Sequence, residues 1–407
     1  MVIPWLIWTG LAIAGMPVMS SDGTVRTVKM ENPDSFMAPP VIRLGTSDRL
    51  RLNFDIIGED REYLRYRLIH CNSDWTPSRL LEQEYLSGFN EGEVADIAFS
   101  SNTFTHYVNY NIELPSEEIA PVVSGNYLLQ VFREDSPEDV LFQTGFYVSE
   151  NIVGIQGEAT SRTDRGFNTE YQQIEFTADL GSAGNLNPWQ DIRVCVVKNN
   201  APGSTVMTGH PLRVENGIAT FSHDPNLIFE AGNEYRRFET VRSDYPGMGV
   251  DSIGFYGERR RAYLTPDHPR KGRNYEYDRT QHGRFKIDEY NSTDPDLGAD
   301  YILTKFSLEM PEQPGKEITV EGELTRHLPE GMAKMSYNAE RGAYELELPL
   351  KQGSYNYRYV MGDDSGRIYD SALEGNHYET SNEYLVLIYL RLPATRGERL
   401  LGATVIY

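Results

Sequence analysis

The chain has 407 residues, and 60 acidic against 38 basic residues give it a net charge of −22. This surplus of carboxylates argues against nucleic acid as the main ligand, because a polyphosphate would approach a like-charged surface. The 26 tyrosines, 35 glycines and 22 prolines favour strands joined by turns, and two cysteines are too few for a disulfide framework or a cysteine metal site.

Residues 1–20 are predicted to be a secretory signal peptide, because residues 2–19 are apolar and uncharged and two serines follow them. Cleavage after Ser20 and cleavage after Ala14 both stay open. A retained membrane anchor is the alternative, since this run is at the lower limit for spanning a bilayer. No second run of spanning length follows. The mature chain is therefore expected to be exported, with residues 21–39 as a linker.

Past the leader the dominant hydrophobic period is two, which is typical of strands with one buried face. Residues 383–390 are instead apolar on both faces, as in a strand covered on both sides. The clearest alternating runs are residues 49–56, 108–114, 174–180 and 355–359.

These patterns predict an all-β chain of three consecutive immunoglobulin-like or early-set β-sandwich domains after the signal peptide. The first is predicted at 40–150. The second is predicted at 151–293 and carries a long extension rich in tyrosine and arginine. An Asp-Pro-Asp joint at residue 294 opens the third, an early-set-like sandwich over 294–407.

No catalytic, cofactor or metal constellation can be assembled from the sequence. HExxH, GxSxG and glycine-rich phosphate motifs are missing, and the eight histidines lie far apart. Asp294, Asp296 and Asp300 lack the glycine and glutamate of a calcium loop, which favours a solvated linker. Cys71 and Cys195 lie in separate predicted strands, so two buried thiols are expected rather than a bridge. The chain is predicted not to be an enzyme.

The stretch YRLIHCNSDW, from Tyr66 to Trp75, ends a predicted strand in an Asn-Ser-Asp cluster. Such a cluster can bond its own backbone as an Asx-type turn, and Trp75 would then pack back on the core. A structural corner is therefore favoured over a ligand contact.

A basic stretch stands out in this acidic chain. Residues 258–286 contain nine Lys/Arg and four Asp/Glu, a local charge of 9 − 4 = +5, with tyrosines interleaved. The stretch either binds an acidic partner or RNA, or neutralises the protein's own carboxylates. A Pro-Gly turn just before it adds apolar side chains. The candidate partner-binding residues are Tyr245, Pro246, Met248, Arg259, Arg260 and Arg261.

The third predicted unit is similar in strand order to the early-set sandwich of glycogen- and starch-binding modules. Those modules stack sugars on exposed tryptophans, and no tryptophan occurs after Trp189. The unit is therefore expected to keep the sandwich without the sugar ligand.

With these pieces in place, the chain resembles the plug protein family of the Bacteroidota type IX secretion system, formerly a domain of unknown function. Ser381 stands where the family usually has glutamate, and residues 324–327 lack an aromatic pair often seen there. The matching stretches include YRLIHCNSDW, EYLSGFN, SGNYLLQVF, RRFE, YPGMGVDSI, TDPDLGADYILTKFSL, KQGSYNYRYV, EGNHYETSNEY and RGERLLGATVIY.

The resemblance implies a non-enzymatic periplasmic subunit that binds and seals the periplasmic mouth of the SprA-type outer-membrane translocon barrel. It implies a location at the periplasmic face of the outer membrane, without a cofactor, a nucleic-acid partner or a small-molecule substrate. The rival class is a periplasmic carbohydrate-binding module protein, or an accessory domain of a glycoside hydrolase system.

Overall fold

A computed structural model describes residues 19–20, 23–256, 259–363, 365 and 367–407. The predicted signal peptide lies outside the described residues except for residues 19 and 20. Strands take up 49 % of the chain and helical turns 7 %, so the predicted all-β class is confirmed. Every helix in the described part is a single turn of three or four residues.

The first sandwich holds twelve strands and one helical turn, α1 (Glu82–Tyr85). Its strands are β1 (Met19–Ser20), β2 (Val25–Glu31), β3 (Val41–Arg43), β4 (Leu50–Ile57), β5 (Leu64–Cys71), β6 (Leu86–Gly88), β7 (Gly92–Glu93), β8 (Asp96–Phe99), β9 (Tyr107–Leu114), β10 (Ile119–Pro121), β11 (Gly125–Arg133) and β12 (Ser136–Ser149).

Two sheets form this sandwich, one in the order β1-β12-β11-β5-β7 and one in the order β2-β4-β9-β8. Residues 21–39, predicted to be a linker, include β2, which pairs with β4 and buries Val25 and Val28 in the first core. The strand was missed because its apolar residues alternate poorly and Lys29, also buried, interrupts them.

The next segment contributes strands β13–β19, a helical turn α2 (Pro188–Asp191) and three short 3-10 turns. The 3-10 turns are Gly181–Ala183, Pro202–Ser204 and Pro225–Leu227. The strands are β13 (Gly154–Thr160), β14 (Tyr171–Asp179), β15 (Ile192–Lys198), β16 (Thr205–Thr208), β17 (Arg213–Glu215), β18 (Ile218–Phe221) and β19 (Ile228–Glu230).

The remaining chain contributes twelve strands, helical turns α3 (Pro295–Gly298) and α4 (Ser371–Glu374), and the 3-10 turn Glu323–Thr325. The strands are β20 (Arg236–Glu239), β21 (Val250–Tyr256), β22 (Arg259–Leu264), β23 (Phe285–Ile287), β24 (Tyr301–Glu309), β25 (Lys316–Glu321), β26 (Ser336–Asn338), β27 (Ala343–Lys351), β28 (Gly353–Asp363), β29 (Ile368–Tyr369), β30 (Tyr384–Leu390) and β31 (Arg399–Ile406).

The sheets and cores group these strands differently from the predicted boundaries at 150/151 and 293/294. Strand β30 pairs along its whole length with β15, and β31 pairs with β30, so the C-terminal strands complete the second sandwich. Strand β20 pairs with β28, and β21 pairs with β22, which in turn pairs with β24. These three strands complete the third sandwich. The third sandwich is thus inserted between β19 and β30 of the second.

The doubly apolar run 383–390 has a direct structural reason. All seven residues of β30 are buried. One face, which includes Val386 and Ile388, enters the core of the second sandwich. The other, which includes Leu387 and Tyr389, packs in a cluster with Leu128 and Tyr147 of the first sandwich. The prediction of a strand covered on both sides is confirmed.

A buried ion pair fixes the first sandwich to the third. The Lys351 ammonium lies 2.7 Å from the Asp55 carboxylate, and both side chains are inaccessible to solvent. Tyr301 donates its hydroxyl proton to the same carboxylate at 2.6 Å, and Asn109 donates to its other oxygen. Because an unpaired buried charge is costly, these contacts hold the two sandwiches in one arrangement.

Candidate partner-binding surface

A groove opens where the first sandwich meets the third, and it borders the candidate residues. It has a volume of about 530 Å³. We call it the junction groove; its lining includes Phe104, Ser243, Arg260, Asp294, Asp300 and Gln352.

Asp300 anchors the floor of the junction groove. Its carboxylate accepts the backbone N–H groups of Phe104 at 3.2 Å and Thr105 at 2.9 Å, across the two sandwiches. Its own N–H donates to the side-chain oxygen of Gln352 at 2.9 Å. The loop that carries Phe104 is therefore held by the third sandwich, which positions the aromatic ring at the groove.

An exposed stack of two phenylalanines and one arginine forms the rim. The Phe104 and Phe255 rings meet edge to face with centroids 4.9 Å apart. The Arg260 guanidinium lies over both, 5.3 Å and 4.7 Å from their centroids. Phe104 is 68 % exposed and Phe255 51 %. This trio, called the aromatic–arginine cluster below, presents apolar area and positive charge together.

The three adjacent arginines of β22 do not form one patch, because successive side chains of a strand point to opposite faces. Arg260 shares the inward face with its cross-strand partner Phe255. Arg259 and Arg261 face outward, where Arg261 pairs with Glu347 at 3.0 Å. Arg259 is exposed and has no ion pair within the described residues.

The turn before β21 reaches the same end of the third sandwich. Tyr245 is 68 % exposed, Pro246 is half-buried, and the Met248 sulfur lies 3.0 Å from an Arg237 nitrogen. Hydrogen bonds from Arg242 lower the pKa of Asp244, and the charge of Arg260 adds a smaller effect. Ser243, which precedes this turn, and Arg260 both line the junction groove, so the turn borders the same surface.

The basic stretch 258–286 divides between the two uses that the sequence left open. Arg270 pairs with Glu374 at 2.7 Å and Arg284 with Glu383 at 2.6 Å, both largely buried. Together with Arg261 and Lys286, they neutralise the protein's own carboxylates. The described part shows no ion pair for the remaining five, which are Arg259, Arg260, Lys271, Arg273 and Arg279.

Phe104 and Phe255 are functional candidates that the sequence pattern does not indicate. Phe255 lies in a strand, where a phenylalanine ordinarily means core. Phe104 could have been recognised more easily as an exposed residue, because it is the one apolar side chain in the polar run SSNTFTH, which lacks the alternation of a strand. Their proximity depends on the packing of two sandwiches and could not be read from either segment.

The YRLIHCNSDW motif forms a structural corner. Trp75, at φ 62°, is buried and packs on Tyr147 with ring centroids 5.4 Å apart. Asp74 accepts the Thr76 N–H in an Asx-type turn. The hydrogen bonds and the packing account for the motif without a ligand.

Cys71 and Cys195 are free and buried, as the sequence predicts. Burial raises the pKa of the Cys71 thiol to about 12, so it stays protonated and unreactive.

The three aspartates weighed as a calcium loop have separate roles. Asp294 caps α3, Asp296 pairs with Arg51 and Asp300 holds backbone amides. No group of three or more His, Cys, Asp or Glu residues in the described part is arranged to hold a metal ion. Within the same residues, none of the helices has the length and apolar character needed to cross a bilayer.

The fold and this surface define an all-β protein of three packed sandwiches with an exposed aromatic and basic contact region. The family model of the type 9 secretion system plug protein, first domain, matches residues 25–150. Residues 25–150 therefore belong to the type IX secretion system plug protein family, which supports a role of the chain related to that secretion system.

A solved structure is similar to this chain along almost its whole length. A hypothetical protein from Parabacteroides merdae, at 2.30 Å resolution, has 34 % identity and a TM-score of 0.93. The match covers 96 % of this chain and 99 % of that one. Latent PorU from Porphyromonas gingivalis matches with 10 % identity over 94 % of this chain and 34 % of that one, but its TM-score of 0.15 carries no argument. A search of the curated proteins finds no match.

Proposed function

We propose that this protein is a non-enzymatic periplasmic plug subunit. It binds the periplasmic mouth of the SprA-type translocon barrel and seals it when no substrate passes. Membership of the plug family supports an association with the secretion system. A seal is physically needed because a wide, water-filled barrel would otherwise leak solutes.

The observation that carries the proposed contact is the aromatic–arginine cluster. Interfaces concentrate their binding energy in a few aromatic and arginine residues surrounded by a polar rim. Phe104, Phe255 and Arg260 supply such anchors, and the polar junction groove lies beside them. Arg259, on the outward face of β22, and Tyr245, in the turn before β21, are further exposed side chains of the third sandwich.

The cluster is built from two sandwiches, so its geometry is rigid only while those sandwiches stay packed. The buried Lys351–Asp55 pair and the Asp300 hydrogen bonds maintain that packing. A preformed contact loses little entropy on binding, which suits a plug that must dock repeatedly.

Two double variants separate the anchors from the charges. Phe104→Ser with Phe255→Ser should raise the dissociation rate from the translocon about tenfold or more, because buried anchors govern dissociation. Arg259→Glu with Arg260→Glu should slow association, most strongly at low salt, because rim charges act on encounter. Co-purification with detergent-solubilised translocon, followed by binding kinetics at two salt concentrations, measures both effects.

Arg165→Glu with Phe167→Ser is the matched control. It removes an exposed arginine and an exposed phenylalanine from the second sandwich, away from the junction groove. The control should bind as the unchanged protein does. Equal recovery of the translocon by all three double variants, each folded by circular dichroism, would show that another surface makes the contact.

A further inference from the structure

A second groove, on the second sandwich, contains an exposed tryptophan. Trp189 is 46 % exposed and stands at the start of α2. The side chain of Asn187 accepts the Trp189 N–H at 3.2 Å and caps the turn, which fixes the backbone that carries the ring. An exposed tryptophan on a fixed backbone offers a flat apolar platform.

The groove beside this ring has a volume of about 630 Å³, and both apolar and polar side chains line it. We call it the Trp189 groove; it includes Asp74, Trp189, Arg193, His210, Asn226 and Arg391. A neighbouring groove of about 410 Å³ shares Asp74, Arg193 and Arg391 with it, so the two are continuous. An apolar platform with a few convergent polar groups is the usual form of a small-ligand site.

Two guanidinium groups, where the Trp189 groove meets the adjoining groove, converge on one buried carboxylate that lines the adjoining groove. Arg193 and Arg391 lie 3.7 Å and 3.5 Å from the same oxygen of Glu398. The other Glu398 oxygen accepts the Ser73 N–H at 2.8 Å. Arg193 also donates from Nη1 to the Ser73 hydroxyl at 3.3 Å. Since each guanidinium carries five N–H donors, both arginines keep donors for a further acceptor.

The charged side chains that line the groove differ in how far they are exposed to solvent. Glu398 is only 7 % exposed, whereas the Arg391 side chain is 57 % exposed. Asp74 is engaged by the backbone and hydroxyl of Thr76. In the adjoining groove Arg79 is exposed, and Arg396 is half-exposed and pairs with Glu84. The lining of the two grooves thus contains four arginines and two carboxylates, in a protein of net charge −22.

We propose that the Trp189 groove binds an acidic saccharide of the uronic acid type. The apolar face of a pyranose ring would stack on Trp189, and its carboxylate would accept from Arg193 and Arg391, whose planar forks match that group. No tryptophan follows Trp189 in the sequence, so the third sandwich has none for a sugar; the platform lies on the second sandwich instead. This proposal stands independently of the plug function.

Isothermal titration of the purified full chain with tri-galacturonate tests the site, and the methyl ester of the same trisaccharide isolates the carboxylates. The unchanged protein should bind the acid, and the ester at least about tenfold more weakly. Trp189→Ala and Arg391→Ala should each weaken binding of the acid about tenfold, because each removes one of the two recognition elements.

Phe167→Ala and Arg213→Ala are the matched controls. Each removes an exposed side chain of the same kind from the second sandwich outside the Trp189 groove. Both should bind tri-galacturonate as the unchanged protein does. Absence of binding at millimolar tri-galacturonate would overturn the proposal. So would binding that Trp189→Ala leaves unchanged, or equal affinity for a tetraglutamate peptide, since either result means charge attraction without a sugar site.

Discussion

His327 is a buried histidine whose protonation the fold opposes. It is 8 % exposed, and its ring meets Phe142 of the first sandwich edge to face at 6.3 Å. Neither ring nitrogen has a hydrogen-bond partner within the described residues. Burial, with a smaller effect of the Arg326 charge, lowers the pKa of His327 to about 3. The ring is therefore neutral in the folded protein at physiological pH.

This depressed pKa makes stability depend on pH. The unfolded chain takes up a proton at His327 below about pH 6.5, whereas the folded chain takes it up only near pH 3. The unfolded state thus binds more protons in that window, and stability falls as the pH drops. His282, whose pKa burial lowers to about 4, acts in the same direction.

The variant His327→Leu should lose much of this pH dependence. The free energy of unfolding should fall between pH 7 and pH 4 by about 3 kcal/mol less than in the unchanged protein. Urea titrations at several pH values measure the difference. His106→Gln, a change at an exposed histidine, should keep the original profile. An identical profile for His327→Leu would mean that His327 takes up its proton over the same pH range in the folded and the unfolded chain.

Strand β31 depends on a glycine where it passes the connector between the first two sandwiches. A Cβ atom on Gly402 would lie 2.5 Å from the Val153 carbonyl oxygen and 3.2 Å from its Cβ. The connector is tied to the strand there by hydrogen bonds from the N–H groups of Ile152 and Val153 to the Leu401 carbonyl. The close approach leaves no room for a side chain.

Gly402→Ala should therefore destabilise the protein by about 1–3 kcal/mol, because connector and strand must move apart. Gly254→Ala is the matched control. Gly254 is also a strand glycine without positive φ, and its added Cβ would meet nothing closer than 4.0 Å. Thermal unfolding should shift for the first variant and stay nearly unchanged for the second. If both variants shifted the unfolding temperature equally, the effect would come from the strand propensity of alanine and not from the close contact with Val153.

The positions of strands could be predicted from the sequence because each depends on the local alternation of apolar and polar residues. Residues 49–56 and 174–180 coincide with β4 and β14 within one or a few residues. The sheet to which each strand belongs could not be predicted, since it depends on which distant strand pairs with it. Strand β30, apolar on both faces, fits any interior position, and its partner β15 lies almost two hundred residues earlier.

The candidate site could be predicted only in part, because it too depends on contacts between segments that lie far apart in the sequence. Exposed Tyr245 and Arg259 could be anticipated from polar, turn-rich context. Ion pairs that consume Arg270 and Arg284 involve Glu374 and Glu383, a hundred residues away. Charge counting within one stretch cannot reveal such pairs, because the compensating carboxylates lie in distant segments, Glu374 in α4 and Glu383 just before β30.

At the scale of the whole molecule, the third sandwich is a continuous insertion with adjacent ends. The Ser381 N–H donates to Glu234 at 2.8 Å, and the Thr380 hydroxyl donates to the Gly232 carbonyl at 3.0 Å. All core residues of this sandwich lie between Phe238 and Leu373. Neighbouring ends and a separate core are what permit one domain to be inserted into another.

A fragment of residues 233–382 should therefore fold alone, whereas the fragment 294–407 predicted from the sequence should not. The first keeps the entire third core. The second lacks β20 to β22 and carries β30 and β31, whose apolar faces would lie open without β15 and the first sandwich. Circular dichroism and urea unfolding should show a cooperative β fold only for 233–382, less stable than in the full chain because the Lys351–Asp55 pair is broken. Cooperative folding of 294–407 would restore the linear division and count against the insertion.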